Sequence, residues 1–243
     1  MRYTAIDIEA TGLNPQTERI IEIAAITRED GKEIGRFSTL VRPVFTGIAG
    51  MAELSERIVE LTGITAAMLA DAPDEKTALT AFLDFMKDET VILGHNVNCD
   101  YAYLKWAAAR NGLELSYTGI DTLRLSRMLR PDLEKKTLSA MKEAYGICTE
   151  CEHRAAEDAV ASAMLYEKLK EEFGADHPEA FLPVPFSYKV KKQTPASKRQ
   201  LENLQKRLAE CMPEVHPDLT GMTKSEASRL TDYLILHFKR PEA

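Results

Sequence analysis

Asp7 and Glu9 stand two apart in the opening stretch Arg-Tyr-Thr-Ala-Ile-Asp-Ile-Glu, residues 2 to 9, which alternates in the manner of a β-strand. That spacing turns both carboxylates to one face of the strand. Tyr3, Ala5, Ile6 and Ile8 around them read as core, so the pair belongs at a buried strand end. Two carboxylates buried side by side lose hydration and repel each other unless a cation bridges them. On its own the pattern also fits an exposed acidic strand face, and other segments must decide between the two.

A chain of 243 residues accommodates one large domain, or a main domain with a small companion. The formal charge of −7 argues against a nonspecific nucleic-acid coat protein. It does not argue against a nucleic-acid enzyme, because cations held in an acidic cleft reverse the local field. The first residues run directly into a strand pattern without a signal-peptide signature. No apolar stretch approaches the roughly 20 residues that span a bilayer. The expectation is a cytoplasmic protein with no membrane partner.

Along the chain, residues 19 to 28 and 33 to 42 read as two further strands joined at Asp30-Gly31, an antiparallel meander with the first. Short helices are predicted around 54 to 60 and 65 to 70. A longer one follows Pro73, with Ala78, Phe82, Phe85 and Met86 on one face. Residues 90 to 93 form a short buried strand before Gly94. A helix runs from about Asn98 to Asn111 and stops at Gly112. Further helices begin at Asp121-Thr122, at Thr137, and across 155 to 173. Strands followed by alternating helix and strand imply an α/β mixed sheet flanked by helices.

Residues 174 to 196, with His177-Pro178, Pro183, Pro185 and Pro195 and the lysines 189, 191 and 192, read as a linker. Beyond it, Ser197 to Gln200 and Thr223 to Glu226 fit the S/T-x-x-E/Q capping box of two helix starts. Leucines 201, 204 and 208 stripe the first helix; Leu230, Tyr233, Leu234 and Phe238 stripe the second. Two such helices bury little by themselves, so they dock on the main body, on a partner or on each other. The expected organisation is a domain over 1 to 173, a linker over 174 to 196 and a small two-helix module over 197 to 243.

Three segments bring chemistry. The first is Asp-Ile-Glu-Ala-Thr-Gly, residues 7 to 12, whose Thr11-Gly12 turn lets backbone approach a phosphate or a sugar hydroxyl. The second is His-Asn-Val-Asn-Cys-Asp, residues 95 to 100, with Asp100 in the first turn of its helix. There a carboxylate also serves as an ordinary dipole partner. The third is His-Arg-Ala-Ala-Glu-Asp, residues 153 to 158. Five helical positions rotate by about 140°, so His153 and Asp158 converge only if His153 lies in the loop before the helix. A histidine placed there can accept a proton near neutral pH. Cys148 and Cys151 form a lone C-x-x-C just ahead of His153, without the fourth ligand or the thioredoxin-like context that zinc or redox chemistry would need.

Taken together, these segments resemble the motifs of the DnaQ-like, DEDDh-type 3′–5′ exonucleases, the family of the proofreading epsilon subunit of bacterial DNA polymerase III. The family has the ribonuclease H-like fold. The resemblance covers about residues 1 to 173, including Leu61-Thr-Gly-Ile-Thr65, Ala72-Pro73, Asp121-Thr-Leu123 and Tyr145-Gly-Ile147. It implies that Asp7, Glu9, Asp100 and Asp158 hold two divalent cations, Mg²⁺ or Mn²⁺, and that His153 is the general base. It also implies that Ala10, Thr11, Gly12 and Leu13 hold the 3′-terminal nucleotide, with Leu61, Thr62, His95 and Asn96 lining the same pocket. Cys99 stands where the family commonly has phenylalanine.

The expected partner is a nucleic-acid 3′ end, single-stranded DNA ahead of RNA, with a DNA polymerase subunit as a further candidate. Two alternatives stay open. One is an RNA-trimming exoribonuclease of the same fold, since the 2′-hydroxyl contacts are not written in the motifs. The other is a zinc-bearing binding module that would use Cys148, Cys151 and His153.

Overall fold

Strand β1 (Arg2–Ala10) is the strand around which the sheet is built, and its alternation appears directly in the packing. Tyr3 and Ala5 join one core and Ile6 joins another, on opposite faces of the sheet. In this computed structural model the described residues are 1–43, 54–149, 153–191, 194–217 and 219–238. β2 (Ile20–Glu29) and β3 (Lys32–Leu40) continue β1 as the expected antiparallel meander. Their turn places Asp30 and Gly31 at φ 48° and 79°, the left-handed pair that a tight hairpin needs.

The helices α1 (Glu56–Thr62), α2 (Ala66–Ala70) and α3 (Glu75–Phe85) begin after Ser55, Thr65 and Asp74. Each of those side chains accepts a backbone N–H of the first turn. β4 (Val91–Gly94) runs parallel to β1 and leads into α4 (Val97–Asn111). β5 (Thr118–Asp121), parallel to β4, has no counterpart in the sequence reading. Four residues containing a glycine carry no readable period, and it is the pairing with β4 that makes them a strand. Next come α5 (Thr122–Leu129), α6 (Leu138–Tyr145) and α7 (Ala155–Phe173), close to their expected bounds.

A last short strand, β6 (Val184–Pro185), pairs with β5 and completes the order β3-β2-β1-β4-β5-β6. Here the structure corrects the linker expected over 174 to 196. Ala180 and Phe181 are buried in the core beside Tyr166, and Phe186 stacks on Tyr101 with ring centres 4.2 Å apart. Trp106 Nε1 donates to Tyr188 Oη at 2.6 Å. Pro185 is tolerated because an edge strand can lack an N–H, and the aromatics between the prolines supply the burial. This unit comprises Met1–Pro43 and Leu54–Val190.

Among the described residues, the second unit starts at Lys191. Its helices α8 (Lys198–Cys211) and α9 (Lys224–His237) both carry the capping boxes read from the sequence. Leu204 and Leu208 pack with Ala227, Leu230 and Leu234, so the two helices bury their stripes against each other. Pro195 and Thr223 form a bridge that ties the two helix starts together.

Two features of the main unit set up the site. The parallel strands β1, β4 and β5 end at one edge of the sheet, and the direction of strand succession reverses between β1 and β4. Clefts for ligands form at such a reversal. At the end of β4, a Cβ on Gly94 would lie 3.0 Å from the carbonyl oxygen of Ile6 and 3.1 Å from the Val97 side chain. The missing side chain lets the start of α4 settle against β1.

Candidate active site

Asp7 and Glu9 lie on β1, Asp100 in the first turn of α4 and Asp158 in the first turn of α7. Asp100 reaches β1 directly, its Oδ1 accepting the Ile8 N–H at 3.1 Å. His153 sits in the segment before α7, outside the helix, as convergence with Asp158 requires. A nitrogen of His153 and carboxylate oxygens of Glu9 and Asp158 lie within 4.8 Å of one another. The three sequence segments therefore meet at one place. Cys148 is exposed, and Cys151 lies outside the described residues.

The electrostatics record how closely the carboxylates are gathered. The carboxyl group of Asp7 is raised well above its ordinary range, first by burial and then by the charges of Asp100, Glu9, Asp158 and Glu22. Glu9 is pushed up to about 8 by burial, then by Asp158, Glu22 and Asp100, with Arg154 acting in the opposite direction. Asp100 is raised to about 7 by burial, although backbone N–H donors, Ile8 among them, oppose the shift. These are the signs of an anionic cluster short of positive charge. Oxygen donors from several carboxylates are what hard divalent cations select, so the donor set fits Mg²⁺ or Mn²⁺.

Beside the cluster opens a cavity of about 370 Å³. Ala10, Thr11, Gly12, Leu13 and Leu61 line it, together with Glu9, Asp100, Cys99, Tyr103, Ser55 and Arg57. The turn after β1 is held from several sides. Tyr103 Oη donates to the Gly12 carbonyl. Thr11 Oγ1 donates to Glu18 Oε2 at 2.6 Å and accepts the Arg19 N–H at 3.0 Å. Leu13, 96% exposed, projects from this braced turn.

Three residues expected in the pocket are not among its walls. Thr62 is buried, donates to the Ile58 carbonyl at 2.8 Å and accepts the Ile64 N–H at 3.1 Å, which closes the end of α1. His95 has both ring nitrogens engaged, by Thr122 Oγ1 at 2.9 Å and the Lys136 carbonyl at 2.8 Å. Asn96, at φ 66°, donates its N–H to Asp121 Oδ1 at 2.9 Å and precedes α4. His95 and Asn96 thus fix the entry to α4, and through it Asp100.

Sequence reasoning also missed Glu22, Arg154, Arg57, Ser55 and Tyr103. For Glu22 a signal existed. It interrupts the apolar run Ile20-Ile-Glu-Ile-Ala-Ala-Ile26, and a charge in the middle of a buried strand needs a partner. Arg57 and Ser55 carry no comparable mark, since exposed polar residues at a helix start are ordinary.

Comparison with known proteins bears on this geometry. Residues 4–166 match the sequence model of the exonuclease family of ribonuclease T type. The chain belongs to that exonuclease family. It is 35% identical over 171 residues to DNA polymerase III subunit epsilon of Aquifex aeolicus, covering 70% of this chain and 81% of that one. To DNA polymerase III PolC-type of Caldanaerobacter subterraneus it is 37% identical over 169 residues, 70% of this chain and 12% of that much longer protein. A solved structure of exonuclease X in complex with 5′ overhanging duplex DNA has a TM-score of 0.55 at 26% identity, over 71% of this chain and 93% of that one. The fold is accordingly ribonuclease H-like, with six strands among the described residues forming a mixed sheet flanked by helices. Among the described residues, no helix is long and apolar enough to cross a membrane.

Proposed function

We propose that this exonuclease is a divalent-metal-dependent 3′–5′ enzyme that removes nucleoside 5′-monophosphates one at a time from single-stranded DNA ends. The convergence of Asp7, Glu9, Asp100 and Asp158 with His153, from three distant segments, is the observation that carries this reading. The four carboxylates would hold two ions, Mg²⁺ or Mn²⁺. When bound, such ions supply positive charge to the attacking and departing oxygens of a phosphodiester. His153 accepts the proton of the attacking water as its oxygen bonds to phosphorus. The bond from phosphorus to the 3′ oxygen of the preceding residue breaks, and that oxygen takes up a proton.

Ala10 to Leu13, Leu61 and Cys99, which line the cavity, would hold the terminal nucleoside. Arg57, which also lines this cavity, would meet a backbone phosphate. Arg57→Ala is expected to weaken binding of an oligonucleotide and to flatten the plot of log affinity against log salt by about 0.7, the share of one phosphate contact on a single strand. Arg57→Lys should retain the slope. Fluorescence anisotropy across a salt series reads both.

Similarity to the Aquifex polymerase III subunit supports a DNA polymerase as candidate partner. Matched 5′-labelled DNA and RNA oligomers, incubated with Mg²⁺, with Mn²⁺ and with chelator, test the whole reading on one gel. The expected result is a ladder shortening from the 3′ end of DNA that chelator abolishes. Faster shortening of the RNA would replace the substrate assignment with the exoribonuclease. Shortening that survives chelation would remove the metal mechanism.

A further inference from the structure

We propose that Glu22 and Arg154 form a positioning pair that fixes the proton acceptor His153 over the carboxylate cluster. The inference rests on the reading of His153 as general base and extends it to two residues outside the motif set. Glu22 lies on β2 directly opposite Glu9 in the β1–β2 register, and it is 2% exposed. Its carboxylate takes three donors, each from the start of the third motif segment. Arg154 donates to it through Nη2 at 2.7 Å and Nε at 3.2 Å, and the Ala155 N–H does so at 3.0 Å.

The α7 start shows why this matters. Arg154 occupies the N-cap position but forms no side-chain cap of its own. Glu22 supplies the missing acceptor from another strand, so the helix is capped by the sheet that carries Asp7 and Glu9. Backbone from Arg154 onward is thereby pinned to the strand next to the cluster. His153, one residue earlier, adopts φ 56°, a left-handed conformation that non-glycine residues seldom take. A fork of two N–H donors on a buried carboxylate fixes both distance and angle, which a single point charge does not. The pair therefore turns the rigidity of β2 into a defined position for the His153 ring.

Neither residue lines the cavity beside the cluster, so the proposal routes their effect through His153. Displacing a reacting group by about 1 Å can cost on the order of 100-fold in rate. Arg154→Ala is expected to lower kcat about 100-fold with KM within about 2-fold. Arg154→Lys, which keeps the charge and loses the fork, should fall between that variant and wild type.

A double-mutant cycle with His153→Ala on the full chain decides the matter. Once His153 is absent there is no ring left to position, so adding Arg154→Ala should change the residual rate by less than about 3-fold. Equal losses in both backgrounds would overturn the proposal. So would an unchanged kcat in Arg154→Ala, or a parallel loss of Mn²⁺ affinity by calorimetry, which would route the effect through the carboxylates.

A readout independent of turnover separates this proposal from the function reading. The ring signal of His153 in a ¹H–¹³C spectrum, assigned by its loss in His153→Ala, should shift or broaden in Arg154→Ala and return toward wild type in Arg154→Lys. An unmoved signal would sink the positioning role even in an active enzyme. A wild-type protein inactive on every oligomer would sink the exonuclease mechanism while this spectrum still tests the anchor. If Arg154→Ala proves unfolded by circular dichroism, Glu22→Gln serves in its place, since it keeps an acceptor for Ala155 and weakens the fork.

Discussion

Asp7→Asn is expected to lower kcat/KM by about three orders of magnitude or more, close to 4 kcal/mol of transition-state stabilisation, while leaving the protein at least as stable as wild type. Both halves follow from the same arrangement. Asp7 sits where the charges of Asp100, Glu9, Asp158 and Glu22 all raise its carboxyl group. The neutral amide keeps the shape and removes one of the repelling charges, so the folded state is relieved rather than weakened. It also removes a donor that the cations would need. Parallel measurement of oligonucleotide turnover in Mg²⁺ and of thermal unfolding in chelator tests both halves. Undiminished turnover would contradict the metal assignment. A Tm well below that of wild type would contradict the account of a strained cluster.

Divalent cations should stabilise the protein strongly, and more at pH 8 than at pH 5. Glu9 titrates at about 8 and Asp100 at about 7 in the folded state. Unfolded carboxylates titrate near 4. Between those limits the folded chain binds more protons than the unfolded one, so stability falls as pH rises through this window. With chelator present, Tm should decline from pH 5 to pH 8. Cations compete with protons for the same oxygens, so their effect grows over the same range. At a concentration about 100 times Kd the gain is about 2.7 kcal/mol. At about 2–4 °C per kcal/mol for a chain of this size, Tm would rise by roughly 5–11 °C. Differential scanning fluorimetry with chelator, Mg²⁺ and Mn²⁺ at several pH values reads this directly. A Tm indifferent to cation at pH 8 would mean that the cluster does not hold metal.

Local chemistry made much of this protein readable. The alternation of Arg2 to Glu9, the Asp30-Gly31 turn, the glycine stops at 112 and 146, and the capping boxes at Ser197 and Thr223 each express a preference of a few neighbouring residues. Such preferences act within a turn or a hairpin, and they survived into the structure. The motif segments were legible for the same reason, since their spacing encodes which side chains share a strand face or a helix turn. Less was legible where pairing is remote. β5 is a strand because β4 lies beside it, and 178 to 190 join the body because Tyr166, Tyr101 and Trp106 offer them aromatic surface.

By itself, then, the order of residues determined the elements other than β5 and β6, the two carboxylates on one strand face and the position of His153 ahead of its helix. Tertiary structure alone decided which distant groups share a volume. It withdrew Thr62, His95 and Asn96 from the pocket wall into internal hydrogen bonds, and it brought Arg57 and Tyr103 to that wall. It also joined Glu22 to Arg154 across the sheet. The physical reason is one of range. Backbone preference and periodicity reach a few residues along the chain, whereas the repulsion of buried charges and the fork of an arginine act through space between segments that only folding makes neighbours.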